Sequence, residues 1–137
     1  MAFRMSTGLK NALCLEVLTL MAGTSGTAGT ASLTIMAGTQ AASADDAGTG
    51  GTLCVITGIG WNTATSGTSP LAGTFYTGTA GTSGTAVWAR LECINDSGTC
   101  RIDGDVGTAA GNVFTINVNS FSSGGLITLT AADIYMA

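Results

Sequence analysis

The stretch Ala86-Val87-Trp88-Ala89-Arg90-Leu91-Glu92-Cys93-Ile94-Asn95-Asp96-Ser97-Gly98-Thr99-Cys100-Arg101-Ile102-Asp103-Gly104-Asp105-Val106 reads as two strands joined by a tight turn. Asn, Asp, Ser and Gly cluster between two runs in which apolar and polar residues alternate, the pattern of a β-hairpin. With Asp96 and Ser97 at the tip, Glu92 faces Arg101, Arg90 faces Asp103, Leu91 faces Ile102 and Cys93 faces Cys100. Two opposite-charge cross-strand pairs form together, and each favours this register. The alternation agrees with it. Val87, Ala89, Leu91 and Cys93 share one side with Ile102 and Val106, while Trp88, Arg90, Glu92, Arg101, Asp103 and Asp105 share the other, which reads as the solvent face. A slip of one residue would break both charge pairs and turn the apolar set outward.

Outward from the hairpin, short β-rich runs alternate with Gly, Ser and Asn clusters. They predict strands at 32–37, 52–59, 71–77, 86–94, 100–106, 112–119 and 125–135, with no long helix between them. This is the signature of an all-β domain, an antiparallel β-sandwich of jelly-roll type, over residues 31–137. Residues 1–30 read as an N-terminal arm. Ser6 or Thr7 caps a short helix, and Leu9, Leu13, Val17 and Leu20 recur at helical spacing and predict one apolar face. That face covers either its own domain or a neighbouring subunit. A Gly/Thr-rich connector follows at 23–30.

Thr, Gly and Ala supply 64 of the 137 residues, but 45% of the chain is hydrophobic and only 9% is charged, so it is expected to fold. Only eight side chains are aromatic. The core is therefore thin, and a dimer or trimer would add shared apolar area to it. Arg4, Lys10, Arg90 and Arg101 are too few and too scattered to track a phosphate backbone, so no direct nucleic-acid contact is expected. Arg4 and Lys10 precede an apolar run at 12–22, but Glu16 interrupts it, unlike the core of a secretory leader. No stretch reaches the ~18 apolar residues of a membrane span, and no membrane partner is expected.

The chain has no His and one Lys, so a Ser or Thr nucleophile lacks its usual activating base. No catalytic residue is assigned and the expectation is that the protein is not an enzyme. Asp103-Gly104-Asp105, with Asp96 nearby, has too few oxygen ligands at calcium-loop spacing. Asp45-Asp46 reads as a capping or solubilising pair. The Gly-rich run 78–85 lacks the Gly-Lys-Ser/Thr ending of a phosphate loop. Thr-rich steps cluster at 23–31 and 78–86 without the fixed period of an ice-binding ladder or solenoid. Neither a metal nor a cofactor is therefore expected. The cysteines Cys14, Cys54, Cys93 and Cys100 show no metal spacing and read as buried reduced thiols. Cys93 and Cys100 differ from the others, because the hairpin register opposes them as a cross-strand thiol pair.

Three groups of residues carry a resemblance. Arg4-Met5-Ser6-Thr7-Gly8-Leu9-Lys10-Asn11-Ala12, Leu33-Thr34-Ile35-Met36-Ala37-Gly38-Thr39-Gln40-Ala41-Ala42-Ser43-Ala44-Asp45, and Ala86-Val87-Trp88-Ala89-Arg90 with Arg101-Ile102-Asp103-Gly104-Asp105-Val106-Gly107 resemble small virion proteins of tailed bacteriophages. The resemblance implies a capsid cementing or decoration protein. Such a protein binds the major capsid protein and copies of itself on the capsid surface, after assembly in the host bacterial cytoplasm. Leu9, Leu13, Val17 and Leu20, with Trp88, are the expected partner contacts. A tail or fibre component is the alternative within the same particle. An adhesin or carbohydrate-binding module is the alternative from another class.

Overall fold

A computed structural model describes residues 4–22, 31–72, 75–93, 100–132 and 134–135. The chain is all-β with one short N-terminal helix. Helix α1 spans Thr7–Ala22, and the strands are β1 (Ala31–Met36), β2 (Thr52–Ile59), β3 (Thr68–Ser69), β4 (Tyr76–Thr79), β5 (Gly84–Thr85), β6 (Trp88–Cys93), β7 (Arg101–Gly107), β8 (Phe114–Ile116), β9 (Ser120–Phe121), β10 (Leu126–Ala132) and β11 (Ile134–Tyr135). Seven of them form one sheet in the order β2-β1-β6-β7-β8-β10-β4, with β11–β3 and β5–β9 as two small side pairs.

Among the described residues every ladder is antiparallel except β7–β8, which is parallel. The large sheet curls until its two outer strands meet. Cys54 on β2 bridges to Ala80 just past β4, and the Gly81 N–H donates to the Leu53 carbonyl at 2.9 Å. The two layers predicted by alternation are thus opposite walls of a single, nearly closed sheet. Curling lets small side chains fill a narrow interior, which suits a chain with few aromatics.

The hairpin register is as read from the sequence: Trp88 pairs with Asp105, Ala89 with Gly104, Arg90 with Asp103, Leu91 with Ile102 and Glu92 with Arg101. The tip at 94–99 and the connector at 23–30 lie outside the described residues. β1 is paired on both edges, by β2 and β6, and its Leu33 and Ile35 are fully buried. With Ile56, Ile59, Leu91, Phe114, Ile116, Ile127 and Leu129 they make the core.

The run 112–119 keeps only three residues as strand, and 125–135 is split into β10 and β11. The run 71–77 is displaced: Leu71 makes only an isolated bridge to Trp61, and the strand proper is β4. Between β2 and β4 the chain crosses one end of the sheet, tied by Trp61 Nε1 donating to the Ala132 carbonyl at 3.2 Å and by the Tyr76 hydroxyl donating to the Gly60 carbonyl at 3.3 Å.

Candidate functional site

Helix α1 begins where the sequence placed it. The Leu9 N–H donates to Ser6 Oγ at 3.3 Å, which satisfies one of the orphan donors of the first turn. The helix lies on its own domain, near β6, β3 and β11. Cys14 is fully buried in the core, and Val17 packs against it. The Asn11 carboxamide oxygen accepts from the Gly67 N–H at 2.6 Å and pins the helix to the β2–β4 crossover.

The expected single face therefore divides. Val17 is on the docked side, whereas Leu9, Leu13 and Leu20 stay 41–47% exposed, as does Leu15 on another flank. The reason is that this helix carries leucines nearly all round. Their spacing alone could not tell the docked side, set by Cys14, from the open one. The result is an uncovered leucine stripe running along the same helix that docks through Cys14 and Val17.

The other feature of note is polar and sealed. Trp88 and Arg90, placed by alternation on the solvent face, are 1% and 2% exposed. The segment 37–51 folds over them, so β6 is covered on both faces. Arg90 Nε and Nη2 donate to the two Asp103 carboxylate oxygens at 2.7 and 2.8 Å, and Nη1 donates to the Asp46 carbonyl at 2.7 Å. The guanidinium also sits 5.5 Å from the Trp88 ring centroid. Its hydrogen bonds to Asp103 raise the Arg90 pKa further above the ordinary range, against the opposing effect of burial. Beside it, Arg101 pairs with Glu92 at 3.4 Å and reaches the Ala44 carbonyl at 3.4 Å.

The tight turn at 43–46 that receives these arginines is held by Asp46 Oδ2, which accepts from the Ser43 N–H at 3.1 Å. Asp46 thus caps the turn, the ordinary role read for it. Asp103, expected to face solvent, is instead sealed under this loop. Asp105 is exposed and accepts from the Val113 N–H at 3.0 Å. Trp88 consequently offers no surface to a partner in the isolated chain, contrary to its expected contact role, because a segment remote in sequence covers it. The cluster is a structural tie: the charges of Arg90 and Asp103 neutralise each other and the other Arg90 contacts go to the backbone carbonyls of Asp46 and Ser43, while Trp88 Nε1 is buried with no hydrogen-bond partner among the described residues.

Sequence reading missed an open groove of about 560 Å³ lined by Thr108, Ala110, Asn112, Val113, Thr115 and Ala131, beside the parallel β7–β8 pair. Small uncharged residues in a loop give no motif, so no signal pointed to it. Among the described residues no group of three His, Cys, Asp or Glu side chains could hold a metal ion, and no helix is long and apolar enough to cross a membrane.

All four cysteines carry thiols. Cys93 is buried, and its N–H donates to the Cys100 carbonyl at 3.3 Å, so the predicted opposition of the two residues holds. Burial raises the Cys14 and Cys54 pKa values above the ordinary 9.0. As pH rises through that value the unfolded chain gives up thiol protons that the folded chain retains, so stability falls on the alkaline side. Urea midpoints are expected to drop between about pH 8 and pH 10, and to drop less in a Cys14→Ala, Cys54→Ala variant.

A scan against protein-family models, a search of curated proteins and a search of solved structures each returned no match.

Proposed function

We propose that this chain is a structural virion protein of a tailed bacteriophage that cements or decorates the capsid by binding the shell of major capsid protein. The observation that carries the reading is the leucine stripe. Leu9, Leu13 and Leu20 lie on a helix already anchored through Cys14 and Asn11, so they are held out on a fixed platform. A preordered apolar stripe binds without the cost of ordering an arm. Repetition of the site over a symmetric shell turns modest individual contacts into stable occupancy.

Two further features support a binding role over a catalytic one. The sequence has no His, and its most buried charged pair, Arg90–Asp103, is spent on holding a loop. The resemblance of the motifs at 4–12, 33–45, 86–90 and 101–107 supplies the class of particle. In this reading copies of the chain associate as dimers or trimers on the capsid surface, and neither nucleic acid nor membrane is a partner.

The test mixes purified protein with shells assembled from the major capsid protein encoded in the same genome and measures co-sedimentation. Replacing Leu9, Leu13 and Leu20 together with Ser is expected to abolish binding while lowering the unfolding free energy from urea denaturation by no more than exposed substitutions do, about 0.5 kcal/mol per site. Undiminished binding by this variant would remove the stripe from the account. Occupancy of rings or tubes instead of shells would assign the chain to a tail or fibre. Binding of glycans by the isolated protein would favour an adhesin.

A further inference from the structure

We propose that Cys93 and Cys100 are a built oxidation site, closing to a cross-strand disulfide when the chain meets a low-molecular-weight disulfide such as oxidised glutathione. The β6–β7 ladder runs without a shift from Trp88–Asp105 to Glu92–Arg101, and the next opposed residues are these two cysteines. The bond from the Cys93 N–H to the Cys100 carbonyl at 3.3 Å marks them as a hydrogen-bonded pair. Such pairs have Cα atoms about 5.5 Å apart, inside the ~4.4–6.8 Å range that a disulfide spans.

Both side chains lie on the core side of the hairpin: Cys93 is 4% exposed, and Cys100 packs against the same core cluster beside Ile102. The two are unequal in access, since Cys100 is half-buried and Cys93 is buried. Cys14 and Cys54 sit on α1 and β2, and neither is opposed to another cysteine in a ladder.

The difference in access sets the order of events. The Cys100 thiolate attacks one sulfur of oxidised glutathione, the S–S bond breaks, and one glutathione thiolate leaves with the electron pair. Cys93 loses its proton and attacks the Cys100 sulfur of the mixed disulfide, expelling the second glutathione thiolate, and both leaving groups take up protons. Two protein thiols are oxidised and one glutathione disulfide is reduced to two thiols. The product staples the two strands at the point where the hairpin leaves the sheet.

The experiment incubates native protein with oxidised glutathione, quenches with iodoacetamide, and reads tryptic masses. Cleavage after Arg90 and Arg101 leaves both cysteines in one peptide, 91–101. That peptide is expected to become two hydrogens lighter and resistant to alkylation, at least about tenfold faster in the native protein than in urea, because the ladder presets the thiols. In Cys93→Ser, Cys100 is expected to keep its glutathione adduct, the resolving thiol being gone. Equal rates in native and unfolded protein would overturn the proposal. So would a persistent adduct in the wild type, or a disulfide-linked dimer in place of the internal bond. The native-against-urea comparison uses the wild type alone, so it stands even if the variant fails to fold.

Discussion

Asp103→Ala is expected to lower the unfolding free energy by about 3–5 kcal/mol, because it leaves the Arg90 guanidinium buried with its charge uncompensated. The Arg90 and Asp103 side chains are 3% and 6% exposed, so water cannot take over from the lost carboxylate without opening the fold. Against a typical total of about 5–15 kcal/mol, this brings the chain close to unfolding. Urea denaturation gives the measurement, and a loss under about 1 kcal/mol would mean that the guanidinium is solvated after all. Arg90→Met combined with Asp103→Leu removes both charges and is expected to lose less than the single change. The double variant still gives up the bond from Arg90 to the Asp46 carbonyl. The loop at 37–51 should then exchange its amides faster, and Trp88 emission should shift to the red.

Gly78→Val is expected to cost about 3 kcal/mol or more and to open the sheet at its seam. An added Cβ at Gly78 falls 2.5 Å from the Val55 carbonyl oxygen, 2.9 Å from Cys54 Sγ and 3.0 Å from Ile56 Cγ1. The first of these is backbone of the facing strand and cannot swing aside, so β2 and β4 must separate. The Gly81 to Leu53 hydrogen bond lies next to this contact, and its amide is expected to lose hydrogen-exchange protection first. Unchanged stability and protection would show that the two strands do not need this close approach.

These two positions mark what the sequence can and cannot reveal. The β6–β7 register was legible because two charge pairs and the alternation of Leu91 and Ile102 against Arg90 and Asp103 all select one alignment. Burial of Arg90 and Trp88 was not legible, since a polar strand face reads the same whether water or a distant loop covers it. The presence and the start of α1 were legible from Ser6 and the apolar spacing. Its docked side was not, because Cys14 and Val17 meet the core while Leu9, Leu13, Leu15 and Leu20 stay exposed. At β4 the Gly78-Thr79 step resembles the turns elsewhere in the chain, and only the facing Val55 carbonyl shows why glycine stands inside a strand. The groove near Asn112 has no local signature, being formed by loop path and small size.

The meeting of β2 with β4 bears on how copies of this chain behave when crowded. A long sheet with a bare rim displays a row of backbone donors and acceptors that can recruit strand after strand into fibrils. Here the rim is largely used up by the sheet itself, and the small pairs β3–β11 and β5–β9 are two residues wide. Close neighbours are left to recognise one another through side chains, so a dense array of copies can stay discrete instead of polymerising through its backbones.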